Sequence, residues 1–216
     1  MVQGSQYFGG RGSGFAGVQG LRLRPRRTQN QEPGTQNPYN PPMPEHAQTP
    51  HHAHDDKHQV HLKLVDRLRR QAAEVRRLTR GLDETQLSTP TIPGKWSLKE
   101  LVCHFGRMEQ VFGDRFDRLL TDENPPIAPY EADGDTEFLA LQAHSTEDVL
   151  EDYLRRREAL CRRLEVLSPP DWHRKGQHPE FERYDVHFQV EYMAHHEAHH
   201  IYQLFQRRVP LGKLPH

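Results

Sequence analysis

Cysteine is nearly absent. The chain of 216 residues holds two, Cys103 and Cys161, with no C-x-x-C spacing. That excludes a disulfide framework and a zinc ribbon, and it fits two reduced thiols in a cytoplasmic protein. Long apolar runs are missing as well. No stretch approaches the roughly 18 residues a membrane span requires, and the first residues lack the continuous apolar core of a secretory signal. Excess charge of either sign is missing too: 29 Lys and Arg stand against 30 Asp and Glu, a formal net charge of −1. Nothing global draws the chain to nucleic acid or to a membrane surface, so neither is expected as a partner. Apolar residues make up 34% and charged residues 27%, so a core forms only where the apolar ones concentrate. Histidine, with 16 residues, is the one type in surplus.

The apolar residues are unevenly placed. Gly, Gln, Asn, Pro and Ser dominate residues 1–55, as in "GSQYFGGRGSGFAGVQG" and "TQNQEPGTQNPYNPPMPEH". Such a segment buries too little surface to offset its ordering entropy, and it reads as a disordered, low-complexity extension. Its "LRLRPRR" reads as a solvated charge run. The next stretch, "HHAHDDKHQVH", brings His51, His52, His54, His58 and His61 close in sequence, but implies no fixed ligand geometry. Residues 56–216 read as one domain.

From about Asp56 the pattern is helical. Leu64, Leu68, Ala72, Val75, Leu78 and Leu82 recur at steps of three and four, an apolar stripe on a helix that stops near Gly81. "STPTIPGK" reads as a connecting loop. Ser97 and Glu100 then fit S-x-x-E, a capping box ahead of a second stripe. That stripe is Leu101, Phe105, Met108, Phe112 and Leu119, and it ends near Thr121. Residues 122–144 read as a long loop with a short helical turn around Phe138. Ser145 or Thr146 caps a third helix, with Glu147 and Asp148 opposing the helix dipole in its first turn. Leu150, Tyr153, Leu160, Leu164 and Leu167 form its apolar face, and "SPPDW" stops it. A fourth helix spans about Tyr184 to Arg208. Four amphipathic helices and no alternating strand pattern predict an all-α fold, a four-helix bundle.

The histidines of the fourth helix stand out. In "HHEAHHIYQ", His196 and His200 are four apart. On a helix that puts them on one face, with Cβ atoms about 6 Å apart, a chelating pair for a metal with nitrogen ligands at about 2.0–2.1 Å. His195 and His199 share the spacing on a neighbouring face, and spacing alone does not choose. His104 falls on the core-facing stripe between Leu101 and Met108, where a polar group needs a partner. Alone it reads as a core histidine bonded to a carbonyl; beside an i,i+4 pair it reads as a third ligand. Three neutral imidazoles leave positions open for water or substrate, the arrangement of a catalytic rather than a structural site. Gln203 and Tyr192, each about one turn from the pair, are candidates to orient a ligand or water, and equally for plain packing.

These residues resemble the DinB/YfiT-like family. "GKWSLKELVCHF" matches a pattern in which Trp-Ser opens a helix and a ligand histidine follows eight residues after the Trp, here Trp96 and His104. "HEAHHIYQ" resembles the family ending H-x-x-x-H-x-x-Q. Only His200 is followed by x-x-Q, so the motif selects His196 and His200 over His195 and His199. The resemblance spans about residues 58–210 and implies an up-down-down-up bundle. It also implies a divalent metal (nickel, zinc, iron or manganese) on His104, His196 and His200, and a homodimer. Some relatives are transferases or isomerases that use a low-molecular-weight thiol such as bacillithiol, mycothiol or glutathione; others are assigned as metal-dependent hydrolases. The expected function is a thiol-dependent S-transferase or a hydrolase acting on a small molecule. The alternative is a non-catalytic metal- or ligand-binding protein of the stress response. One departure is Arg107, three positions after His104, where many members carry an acidic residue. There it either binds an anionic substrate or pairs with a neighbour on the helix flank.

Overall fold

The computed structural model describes residues 51–212, 214 and 215, with side chains from residue 59 onward. Residues 1–50 of the extension read at 1–55, and the side chains of His51, His52, His54 and His58, lie outside the described residues, whereas residues 51–55 are helical and belong to the first helix, against the disorder expected there. Six helices follow in order: α1 (His51–Thr79), α2 (Glu84–Ser88), α3 (Leu98–Thr121), α4 (Thr136–Gln142), α5 (Thr146–Glu165) and α6 (Val186–Arg208). Single 3-10 turns lie at Asp171–His173 and Val209–Leu211. The described residues contain no strand, and none of their helices is long and apolar enough to cross a membrane.

Local chemistry sets the helix ends. α1 begins at His51, ahead of the first periodic leucine, and gives way to Gly81 at φ 77°, a conformation that favours glycine. Asp83 and Gln86 form a capping box that starts α2, so Ser88 closes a helix and does not open the connecting loop. Ser97 and Glu100 form the second box. The Ser97 hydroxyl accepts from the Glu100 N–H at 3.2 Å, and the Glu100 carboxylate accepts from the Ser97 N–H at 2.7 Å. Ser97→Ala should therefore cost about 1 kcal/mol, read as a lower urea midpoint with an unchanged slope. Asp135 caps α4, Ser145 caps α5 and Asp185 caps α6.

Contacts between side chains fix the chain directions. Arg69 meets Glu158 and Glu165 while Arg76 meets Glu151, so α1 and α5 are antiparallel. Arg157 meets Glu109 and Arg163 meets Asp117, so α3 and α5 are parallel. His61 touches His187 and Gln71 donates to the Ala194 carbonyl, so α1 and α6 are parallel. His104 faces His200 while Phe112 faces His196, so α3 and α6 are antiparallel. The four long helices thus run up-down-down-up, with α1 and α3 each packed between α5 and α6.

The core divides into two apolar clusters. One gathers around Leu68, Phe116, Trp172 and Met193, the other around Leu78, Leu101, Tyr153 and Leu204. On each long helix the boundary falls at one level: between Leu68 and Ala72, Phe105 and Met108, Tyr153 and Leu160, and Ala194 and Leu204. Buried polar side chains collect near this level, among them His104, Glu109, Arg157, Glu197 and His200.

Candidate metal centre

His104 lies in the second turn of α3, and the capping box sets where that turn begins. His196 and His200 lie one turn apart on α6. Because α3 and α6 are adjacent and antiparallel, the three rings meet. One ring nitrogen from each falls within 4.8 Å of the others. His104 Nε2 is 3.1 Å from His200 Nε2, and His196 has its ring centroid 5.3 Å from that of His104 and 4.6 Å from that of His200. The other pair, His195 and His199, stays exposed.

Gln203 sets the state of His200. Its Oε1 accepts from His200 Nδ1–H at 3.0 Å, which leaves the Nε2 lone pair facing His104, and its amide N–H donates to His199 Nε2 at 2.9 Å. A histidine ligand whose far nitrogen is bonded in this way has both its ring orientation and its tautomer fixed. Aromatic rings wall the cluster. Trp96 lies 5.2 Å from His104 and 6.3 Å from His200, and Phe138 packs on Trp96 at 5.6 Å. Phe112 and Tyr192 flank His196 at 5.9 and 6.2 Å. Tyr192 therefore contributes a stacked ring.

Burial, with the neighbouring imidazoles, holds all three histidines in the neutral form. His104 lies well below the ordinary histidine value, first through burial and then through His200 and His196. Burial and then His200 bring His196 down to about 3. Burial brings His200 down to about 4 against the opposing hydrogen bond to Gln203. Neutral rings keep the lone pairs a ligand needs.

Arg107 is turned to the flank. Its guanidinium meets Asp135 at 2.8 Å, Glu137 at 2.8 Å and Gln110 at 3.2 Å. Asp135 also accepts from the Tyr130 hydroxyl at 2.7 Å. Arg107 thus ties the segment before α4 to α3.

Sequence reasoning missed a buried ionic group beside the histidines. Arg157 donates to Glu109 at 2.7 and 3.0 Å, to Glu197 at 2.8 and 2.9 Å, and to the Leu68 carbonyl at 3.3 Å. The Tyr153 hydroxyl donates to Glu197 as well. Glu197 follows His196 directly, so the same turn of α6 carries the histidine pair and this anchor. A signal was present: Glu109, Arg157 and Glu197 each stand four residues after a buried apolar or aromatic residue of their own helix, Phe105, Tyr153 and Met193.

Comparison with known proteins agrees with this architecture. Residues 67–204 match the family model of the DinB superfamily. The chain is 29% identical over 124 residues to a protein of Oceanobacillus iheyensis, an alignment covering 56% of this chain and 69% of that one. It is 28% identical over 128 residues to a protein of Bacillus mycoides, covering 59% and 73%. Both are provisionally named metal-dependent hydrolases. Among solved structures, YfiT from Bacillus subtilis is described as a probable metal-dependent hydrolase with an unusual four-helix bundle topology. It matches with a TM-score of 0.58 at 21% identity, over 79% of this chain and 95% of that one. At that identity the likeness speaks for the fold.

Proposed function

The chain belongs to the DinB superfamily, and from that premise we propose that it is a metal-dependent hydrolase of small molecules, with His104, His196 and His200 as ligands of one divalent ion. The bite of the cluster carries this reading. Two nitrogens at about 2.0–2.1 Å from one ion, at a cis angle between octahedral and tetrahedral, lie about 2.9–3.4 Å apart, and His104 Nε2 and His200 Nε2 are 3.1 Å apart. The neutral rings and the Gln203 bond supply the matching donor chemistry. An all-imidazole set suits zinc, nickel or iron.

A divalent ion held by His104, His196 and His200 would supply Lewis acidity and make a nucleophile available near neutral pH. The chain's own residues do the rest. Gln203 holds the His200 ring so that Nε2 points inward. Glu197, clamped by Arg157, fixes the rotation of α6 and with it the direction of both its histidines. Trp96, Phe138, Phe112 and Tyr192 exclude water and offer an apolar wall to the substrate. Transfer to a low-molecular-weight thiol is the finer version of the same chemistry, since a divalent ion held there would ionise a thiol more readily than water.

Elemental analysis of protein purified without a histidine tag tests the site. One divalent ion per chain is expected, with loss of that ion in His200→Ala. Gln203→Leu should weaken ion affinity by about 10–100-fold, read by competition with a chelating dye. An ester and amide panel, run with and without glutathione and bacillithiol, tests the reaction. Turnover without thiol that disappears on chelation and returns with the ion supports hydrolysis. Strictly thiol-dependent turnover replaces it with transfer, and an ion-loaded but inactive protein replaces it with a binding module.

A further inference from the structure

His199 stands outside the three-histidine cluster but is joined to it. It is exposed, while the adjacent His200 is buried, and their ring centroids are 5.1 Å apart. Gln203 follows His199 by four residues and His200 by three, so helix geometry sets its amide between the two rings. Gln203 Oε1 lies 3.0 Å from His200 Nδ1, and Gln203 Nε2 lies 2.9 Å from His199 Nε2. At the inner end, His104 Nε2 and His200 Nε2 are 3.1 Å apart. A hydrogen-bonded chain thus runs from the buried His104 through His200 and Gln203 to a ring in solvent.

An amide has a donor end and an acceptor end, and a neutral imidazole has one nitrogen of each kind. The chain can therefore point only one of two ways. Pointing outward, His104 Nε2–H donates to His200, His200 Nδ1–H donates to Gln203, and the Gln203 N–H donates to His199 Nε2. Pointing inward, each of these bonds is reversed, and the His200 proton sits on Nε2. In the outward chain His200 is ready to ligate. An arriving ion then displaces only the His104 proton, which moves to the far nitrogen of that ring or to solvent. In the inward chain the ion needs three linked changes: the His200 proton moved, the Gln203 amide turned over and the His199 proton shifted. The Gln203 carbonyl faces His200, which is the outward chain.

We propose that His199 is a positioning residue for the metal centre: by accepting the Gln203 N–H at its Nε2 it fixes the direction of the chain and keeps the inward nitrogen of His200 free of a proton. That this nitrogen serves an ion rests on the reading of His104, His196 and His200 as ligands; the control of the His200 tautomer by His199 does not. His195 supplies the control for charge. It is exposed like His199 and next to His196, but it stands eight residues before Gln203, about 12 Å along the helix axis and out of reach of its amide.

The test exchanges an acceptor for a donor at position 199 of the full chain. His199→Glu can only accept from Gln203, whereas His199→Lys can only donate and turns the amide over. Nitrogen-15 NMR of the ion-free proteins reads the tautomer directly. His200 should carry its proton on Nδ1 in wild type and His199→Glu, and on Nε2 in His199→Lys. Zinc affinity, read by competition with a chelating dye, should follow. His199→Lys should weaken it by about tenfold more than His195→Lys does, the loss of one well-aligned contact plus the tautomer change. In a Gln203→Leu background, the difference between His199→Lys and His199→Glu should shrink to that between His195→Lys and His195→Glu. A His200 tautomer unchanged in His199→Lys, or a difference at position 199 that survives Gln203→Leu, overturns the proposal. If wild type binds no zinc, the three-histidine reading fails, and the tautomer of His200 alone decides the role of His199.

Discussion

Arg157→Ala should lower the free energy of unfolding by about 3–5 kcal/mol at pH 7, a large share of the roughly 5–15 kcal/mol that holds a domain folded. Arg157 is 2% exposed, and all three guanidinium nitrogens donate to Glu109, Glu197 or the Leu68 carbonyl. Burial alone would pull the Arg157 charge toward neutrality. Glu109 and Glu197 outweigh that and hold its ionisation well above the ordinary arginine value. Truncation leaves two buried carboxylates facing each other without a cation, and that unpaired charge costs far more than the missing hydrogen bonds themselves. Burial already pushes Glu109 up, and without Arg157 it should take up a proton readily. The deficit should therefore be smaller at pH 5 than at pH 8. Replacing the whole group, with Arg157→Met, Glu109→Gln and Glu197→Gln together, should recover most of the loss, because no bare charge remains. Urea unfolding of the single and triple variants at both pH values decides it. A single variant within about 1 kcal/mol of wild type would mean that water already reaches this layer.

That buried layer marks where the sequence stopped being legible. Helix ends were readable because capping is local: Ser97 with Glu100, Ser145, and glycine at Gly81 act within one turn. The histidine cluster was readable in part from local geometry, an i,i+4 pair and His104 on a stripe of apolar residues, while the choice of His196 and His200 over His195 and His199 came from the family resemblance. The ionic layer depends on helices far apart in sequence. Glu109 and Arg157 are 48 residues apart and Glu197 is a further 40 along, and a charge beside an apolar stripe ordinarily marks the flank of a helix. Arg107 shows that ordinary case, since Asp135 and Glu137 hold it at the edge. The capping box of α2 was local yet passed over, because Asp83 and Gln86, its N-cap and third residue, open a helix of about one turn with a single buried residue, Leu87. An open cleft between the segments around Ile127 and His178 was illegible for a different reason. Its wall comes from two irregular segments, around Ile127 and His178, joined by the bonds of Ile127 N–H to the Gln177 carbonyl and Gln177 N–H to the Pro125 carbonyl.

Acidification should destabilise the ion-free protein steeply between about pH 6.5 and 4.5, by up to about 1.4 kcal/mol per pH unit for each buried histidine. An unfolded histidine ionises near 6.5, whereas His196 is held at about 3 and His200 at about 4. Between those values the unfolded chain takes up protons that the native protein does not. Stability from these rings is thus complete above the unfolded value and is lost as pH falls toward the native ones. Glu109 works in the opposite sense. Burial raises it, so its contribution is present at low pH and lost as pH rises through the native value, which offsets part of the slope. The carboxylates held low, Glu84, Asp135 and Glu165, lose their contribution only as pH falls through and below the ordinary carboxylate range. The upper window therefore belongs to the histidines. A His196→Gln, His200→Gln double variant should show a much flatter profile there in urea midpoints at pH 7, 6 and 5. A saturating divalent ion should do the reverse: it binds the same lone pairs in the native state alone, adds stability at pH 7, and gives it up as protons compete. If the double variant keeps the wild-type slope, the two rings are charged or solvated in the native protein, and the neutral three-imidazole site falls with them.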